Sequence, residues 1–399
     1  MTNEFAHRIS GRLSDCQADN SFRLTAEARA LKASGADIAW MMLGEPDFDT
    51  PWNIIDRAKL AMDDGWTHYT HSAGIDSLRE RYAEYVNREY GVRRIKKENI
   101  VIQPGGSMIS YLACVTLIDP GDEAIIFDPT FPVYEQGIRM MGGVPVHVPL
   151  DEKIAWRFDY DRLEKAVTDK TKAIFINSPQ NPTGGVFTKE DIAFVAELAR
   201  MHGIYVFSDE IYNRFVYEGQ HASILHVPDF LEQTILLDGH SKTYAMTGWR
   251  LAFSVSSVEV AERFADLMTL INCNTAPFTQ WAGDEALHGD QSESEKMIAE
   301  FELRRNHIYS GLKKIDGISL VKPAGAFYAF VNVEKFTTGS NRTARELQRI
   351  LLHDYHVAVL PGPIFGRYCE NYIRLSFAAD REMITKGVER LSEAFSELC

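Results

Sequence analysis

The sequence predicts an α/β protein built on a mostly parallel sheet, accompanied by a second, smaller α+β unit. Three observations carry that expectation. Between about residue 100 and residue 256, short apolar or β-branched runs at 123–127, 172–176, 204–207, 234–237 and 251–255 alternate with helical stretches, which is the order of βαβ units. Those runs are apolar along their length, as strands covered on both faces are. Beyond about residue 285 the order changes to a long polar helical stretch followed by strands around another helix.

One helix of the alternating region can be delimited. Thr188 and Asp191 form a capping-box-like start, Ile192, Val195, Ala196 and Ala199 recur at helical spacing, and Gly203 supplies the stop before the run at 204–207. A single helix is expected over about 281–314, strands at 325–333 and 372–377, and a helix near 343–354. The segments before about 50 and after about 285 are each short for a core of their own and are expected to combine into the smaller domain. The expected division is therefore 1–50 as arm and part of the small domain, 51–284 as the large domain, and 285–399 as the remainder.

Composition fixes the class of partner. The 399 residues are 45% hydrophobic and 25% charged, values of a globular chain that is neither disordered nor fibrous. With 42 Lys+Arg against 56 Asp+Glu, the formal net charge of −14 repels phosphate backbones and anionic lipid. Nucleic acid and membrane are thus excluded as general partners, and any anion site must be built locally. The cysteines at 16, 114, 273, 369 and 399 are scattered, with no CxxC and no metal-ligand spacing, so free thiols and no metal are expected. No apolar run reaches about 18 residues and the start MTNEFAHRIS carries no apolar leader core, so the expected location is cytoplasmic.

In open α/β sheets, ligands bind beyond the carboxyl ends of the strands. Asn177 to Gly184 follow the run at 172–176, Ser208 to Tyr212 follow 204–207, and Asp238 to Lys242 follow 234–237. Asn181, Asp209, Tyr212 and Lys242 are thereby expected to converge: an amide, an acid, a phenol and an amine. Taken singly, an Asn-Pro turn, an aspartate turn cap and a surface lysine are the ordinary readings.

The ordered set Asn-Pro-Thr-Gly at 181–184, Ser-Asp-Glu-Ile-Tyr at 208–212 and Ser-Lys-Thr-Tyr-Ala-Met-Thr-Gly-Trp-Arg at 241–250 resembles the class I/II aminotransferases, pyridoxal-phosphate enzymes of fold type I. The resemblance runs from Gly44-Glu45-Pro46 to Tyr372-Ile373-Arg374 and implies a seven-stranded sheet in the large domain. It implies that Lys242 is the Schiff-base lysine and the carrier of the proton shifted during the reaction, work that requires a lowered amine pKa. It assigns Asp209 to the pyridine nitrogen and Tyr212 and Asn181 to the 3′-oxygen. It assigns Phe131 to stacking on the ring, and it adds Ser107, through its hydroxyl, and Arg250 to the backbone N–H groups at Gly106 as phosphate ligands. Pro104-Gly105-Gly106-Ser107 opens a helix whose N-terminus suits an anion. Family members often carry a phosphate-binding serine three residues before the lysine; Gly239 stands there, with Ser241 as substitute. Tyr69 would come from the neighbouring subunit of a homodimer with shared sites.

Arg374 alternates with Ile373 and Leu375 on its strand and so faces away from their apolar side. The resemblance makes it the bidentate ligand of the substrate α-carboxylate, helped by the Gly44 backbone and with Asn181 and Phe131 beside the substrate. Aspartate-using relatives commonly place a lysine where Ser107 stands, and the arm at 14–21 departs from the Lys-Pro-Ser pattern. A neutral or aromatic amino acid is therefore the expected partner, exchanged with a 2-oxo acid by a ping-pong mechanism. Arg8 or Arg12, on an arm able to close over the site, keeps glutamate or 2-oxoglutarate open as the shared partner. Two other readings are a β-elimination (C–S) lyase on the same fold and, more remotely, a non-catalytic ligand sensor, for which only about 43 residues precede Gly44.

Overall fold

The computed structural model describes residues 21–398. The arm residues Arg8, Arg12 and 14–20, with Cys16 and Cys399, lie outside the described residues. From the N-terminus run α1 (Ser21–Ala33), β1 (Ala39–Trp40), α2 (Trp52–Asp63), α3 (Asp76–Glu89), β2 (Ile100–Gln103), α4 (Gly106–Leu117), β3 (Glu123–Asp128) and α5 (Pro132–Met140). Next come β4 (Val144–Asp151), β5 (Arg157–Phe158), α6 (Tyr160–Ala166), β6 (Thr171–Asn177), α7 (Lys189–His202), β7 (Tyr205–Asp209), β8 (Thr234–Gly239) and β9 (Ala252–Ser256). The chain continues through α8 (Val258–Ile271), α9 (Pro277–His288), α10 (Ser292–Leu312), β10 (Ser319–Leu320) and β11 (Tyr328–Asn332). It ends with α11 (Ala344–His353), β12 (Val357–Ala358), β13 (Leu360–Pro361), β14 (Tyr372–Ser376) and α12 (Arg381–Glu397).

The main sheet has the order β2-β9-β8-β7-β6-β3-β4-β5. Strands β8, β7, β6, β3 and β4 are mutually parallel, and β2, β9 and β5 pair antiparallel to their neighbours. Its eight strands among the described residues correct the expected seven; the extra one is β5, two residues hung on the edge of β4, too short to leave a periodicity in sequence. Ile125, Phe127, Ile174 and Ile176 enter one apolar cluster while Ala124, Ile126, Ala173 and Phe175 enter another. Covering both faces with apolar side chains is why these strands read as continuous runs.

Helix α7 has the expected capping box, with Asp191 N donating to Thr188 Oγ1 and Thr188 N to Asp191, and Gly203 closes it in the left-handed region at φ 65°. The single helix expected over 281–314 is instead two, α9 and α10. Gly289 is extended between them, Gln291 Nε2 donates to the Ala286 and Gly289 carbonyls, and Asp290 receives Ser292 N, so side chains satisfy the helix ends and permit the break. The boundary drawn at 284 falls inside α9. The strand expected at 325–333 is shortened to β11, because Gly325 and Ala326 are used in turn contacts with Gly184 and Phe215.

A second sheet, β10-β11-β14-β13, is antiparallel, and β1 pairs in parallel with β12. That pairing ties Ala39 to Val357 and Trp40 to Ala358. The consequence for chemistry lies at β3 and β6: from β3 the chain steps outward to β4, then returns to β6 on the other side. Such a reversal leaves a crevice beyond the carboxyl ends of the strands.

Candidate active site

A cavity of about 340 Å³ opens there, the size of a small-molecule site. Phe131 enters it from the turn after β3, Asn177 and Asn181 from the end of β6, Asp209 and Tyr212 from β7, and Ser241 and Lys242 from the turn after β8. Gly44, Gly106, Ser107, Arg250 and Arg374 complete the set of expected residues on its wall. Tyr69 is different: it is 86% exposed and does not line the cavity of its own chain.

Lys242 is held in a turn in which Met246 N donates to Ser241 O. Its Nζ donates to the Gly44 carbonyl at 2.6 Å and lies 6.0 Å from the Tyr212 ring and 5.8 Å from the Phe327 ring. Burial pushes the ammonium down to about 8, with Arg374 and Arg250 lowering it further while Glu45 and Asp209 oppose. Gly239, at the end of β8, has no space for a side chain: a Cβ there would stand 2.7 Å from Ala252 Cβ and 3.2 Å from Ile211 Cδ1. The family's serine is thus sterically barred, and Ser241 stands buried on the cavity wall instead.

Asp209 is buried, and burial raises its carboxyl to about 6 against the opposing hydrogen bonds of Tyr134 and Ile211. Tyr134 OH donates to Oδ2 at 2.5 Å and Ile211 N to Oδ1 at 3.1 Å. Asp209 is therefore both a local turn cap and a charge aimed into the site. Asn177 Nδ2 donates to the Asp209 carbonyl, and Asn177 Oδ1 receives Asn181 N at 2.9 Å, which locks the end of β6 to the end of β7.

Arg374 is buried rather than solvent-facing. Its guanidinium carbon lies 4.5 Å from the Tyr328 ring and 4.9 Å from the Phe365 ring, a cation packed against two aromatic rings. Nη1 donates to Asn181 Oδ1 at 3.0 Å and Nη2 to the Met42 carbonyl, while the buried Nε has no partner among the described residues. Because Asn181 gives its oxygen to Arg374, its amide N–H groups are left for the cavity. Tyr212 OH and Tyr328 OH lie 2.7 Å apart, and burial raises both phenols above their ordinary value.

At the opposite wall α4 begins with Gly105 at φ 88°, a conformation that favours glycine. A Cβ on Gly105 would collide with the Arg250 guanidinium. Arg250 is itself left-handed at φ 54° and its Nη1 donates to the Thr247 carbonyl at 2.9 Å. The first backbone N–H groups of α4, the Ser107 hydroxyl and Arg250 thus form a cradle with the donors that a phosphate requires.

Sequence reasoning missed Tyr134, Tyr328, Phe365 and Asn177. An apolar or turn position gives no sign that a phenol will meet a carboxylate from a distant strand. The site's donor set fits pyridoxal phosphate: an amine, a buried carboxylate, an amide with a phenol, and an anion cradle. The buried Arg374 Nε, without a partner among the described residues, is a spare donor that suits a further anion.

Comparison with known proteins agrees with this geometry. The family model for aminotransferase class I and II matches residues 36–391. An aspartate aminotransferase of Pyrococcus horikoshii is 39% identical over 361 residues, 90% of each chain. An aromatic-amino-acid aminotransferase of Thermococcus litoralis is 37% identical over 358 residues, 89% of this chain and 91% of that one. The solved structure of Thermus thermophilus aspartate aminotransferase with maleate superimposes with a TM-score of 0.92 at 33% identity, covering 96% of this chain and 99% of that one. A site of this composition on a fold matched over nearly its whole length leaves one family: the chain belongs to the class I and II aminotransferases and is a pyridoxal-phosphate-dependent transaminase.

Proposed function

We propose that this transaminase exchanges a neutral or aromatic L-amino acid with a 2-oxo acid by a ping-pong mechanism. The observation that carries the substrate class is the charge of the cavity wall. Among the described residues lining it, the cations are Lys242, Arg250 and Arg374, and Pro132, Val133, Leu360, Ile364 and Phe365 make much of the rest apolar. Each of these cations has a proposed role of its own, so the described residues of the wall offer no further cation to a distal carboxylate. The aromatic-amino-acid aminotransferase among the relatives supports the same class.

Pyridoxal phosphate, when bound, supplies an aldehyde that condenses with amines and a ring that accepts electrons. Lys242 would hold it covalently and, once released by substrate, move a proton from the substrate α-carbon through Nζ, for which an amine near 8 is suited. Asp209 would keep a proton on the ring nitrogen, and Tyr212 with the Asn181 amide would donate to the 3′-oxygen. Gly106, Ser107, Ser241 and Arg250 would bind the phosphate and Phe131 would cover the ring. Arg374 would take the α-carboxylate through its unpaired Nε edge, with Gly44 at its side.

Tyr69 belongs to the same proposal: its exposure suits a residue offered to the partner's phosphate in a homodimer. The division into a large domain at 51–284 and a small one from the two flanks is supported by the β1–β12 pairing. The free thiols of Cys114, Cys273 and Cys369 support a cytoplasmic setting.

The test is the near-ultraviolet and visible absorbance of the cofactor-loaded enzyme during addition of single amino acids without an oxo acid. Stoichiometric loss of the band with neutral and aromatic amino acids, and its return on adding an oxo acid, is the expected result. An unchanged band with steady ammonia release would replace the transfer reading with the lyase. Bleaching by dicarboxylic amino acids alone would overturn the substrate class.

A further inference from the structure

Tyr328 sits where three parts of the site meet. It is 1% exposed, and its hydroxyl is 2.7 Å from Tyr212 OH. Its ring lies 4.5 Å from the Arg374 guanidinium carbon, and its hydroxyl end packs so closely against Gly44 that no side chain fits there. On β11 it pairs in register with Ser376 of β14, two residues beyond Arg374, so the second sheet delivers the phenol and the guanidinium together.

We propose that Tyr328 is a positioning residue that makes Tyr212 a committed hydrogen-bond donor toward the cofactor while its ring holds Arg374 in place. The proton inventory decides which phenol does what. Between two phenols 2.7 Å apart, one donates and the other accepts, and each has a single proton. Both phenols line the cavity, and the role proposed for Tyr212 fixes which of them donates outward. If Tyr212 donates to the cofactor's 3′-oxygen, it must accept from its neighbour, and Tyr328 is placed to supply that proton. Donation into the Tyr212 oxygen polarises its own O–H, so the pair acts as a chain stronger than one phenol alone. The ring acts separately from the hydroxyl. Together with the Phe365 ring, 4.9 Å from the same guanidinium carbon, it packs against the group whose Nη1 already reaches Asn181. Tyr328 thus couples the group that would touch the cofactor to the group that would bind the substrate carboxylate.

This rests on the proposed role of Tyr212, and the experiment separates the two. Tyr328→Phe keeps the ring and removes the hydroxyl, Tyr328→Leu removes both, and each is compared alone and with Tyr212→Phe in the loaded enzyme. The primary readout is the apparent pKa of the cofactor's absorbance band, with KM and kcat and the thermal unfolding of the unloaded proteins alongside. A weakened donor leaves the 3′-oxygen with more negative charge, which retains the neighbouring proton. The apparent pKa in Tyr328→Phe is therefore expected to rise by about 0.5 to 1, the size of one hydroxyl hydrogen bond, with KM nearly unchanged. In the Tyr212→Phe background the same substitution is expected to add nothing, since the chain is already broken. Tyr328→Leu is expected to raise KM for amino acid and oxo acid at least about tenfold by freeing Arg374. An unchanged band pKa in Tyr328→Phe, while Tyr212→Phe alone shifts it, overturns the proposal. So does a shift that persists undiminished in the double variant. An unchanged pKa in Tyr212→Phe itself overturns the role of Tyr212 and the proposal with it.

Discussion

Lys242 illustrates how one side chain acquires a reactivity its sequence neighbours do not give it. Its amine is lowered from the ordinary 10.5 to about 8 chiefly by burial, and only the neutral amine attacks an aldehyde. The neutral fraction grows as pH rises through the pKa, so the rate at which the unloaded enzyme takes up pyridoxal phosphate is expected to climb with a midpoint near 8. Stopped-flow absorbance across pH checks this; a midpoint near the ordinary lysine value would mean the amine is solvated. Arg374 offers a second test at this scale. Lysine in its place keeps a charge but loses the planar fork, the packing against two aromatic rings and the bond to Asn181. Steady-state kinetics of Arg374→Lys are expected to show KM for both substrates raised at least about tenfold while the cofactor stays bound.

At the scale of elements, the site is set by strand ends and by the turns that leave them. Strand β8 must approach β9 so closely at Gly239 that serine, the residue the family resemblance suggests, is excluded. Gly239→Ser is expected to destabilise the protein by about 1–3 kcal/mol through overpacking against Ala252, read as a lower thermal midpoint. A gain in cofactor affinity without loss of stability would show that the strand can yield. The loop between β13 and β14 is tied to the end of β3 in another way. Asp128 receives Arg367 N at 2.7 Å and the Cys369 thiol at 3.3 Å, and lies 3.0 Å from His147 Nδ1. Burial of Cys369, reinforced by Asp128, pushes its thiol well above the ordinary value, so it remains a neutral donor. This ligature holds Ile364 and Phe365 on the cavity wall, opposite residues carried by the main sheet.

For the whole molecule, the decisive test is assembly. Lys242 and the exposed Tyr69 act in one site only if two chains meet. Lys242→Ala lacks the amine and Tyr69→Ala lacks the proposed partner phenol, so neither parent is expected to be active at limiting cofactor. A mixed dimer contains one site with both residues intact, and co-refolded mixtures are expected to recover activity neither parent has. Recovery absent from an assembled mixture would remove Tyr69 from the shared site.

The sheet class, the capped helix α7, and the places of Asn181, Asp209, Tyr212 and Lys242 at or just beyond strand ends were legible in the residues alone. These are local matters: continuous apolar runs follow from strands buried on both faces, and caps and turn residues act within a few positions of themselves. Ordered motifs then pointed to the family, because three independent turns seldom carry the same chemistry by accident. The edge strand β5, the break between α9 and α10, and the partners Tyr134, Tyr328 and Phe365 emerged only once the chain was folded. Tyr134 meets Asp209 across 75 residues, and Tyr212 meets Tyr328 across 116. Hydrogen bonds of that separation depend on strand order and register, and neither residue's immediate sequence encodes them. The burial of Arg374 has the same origin: alternation on β14 told which way it faces, and only the packing of the two sheets placed Tyr328, Phe365 and Asn181 around it.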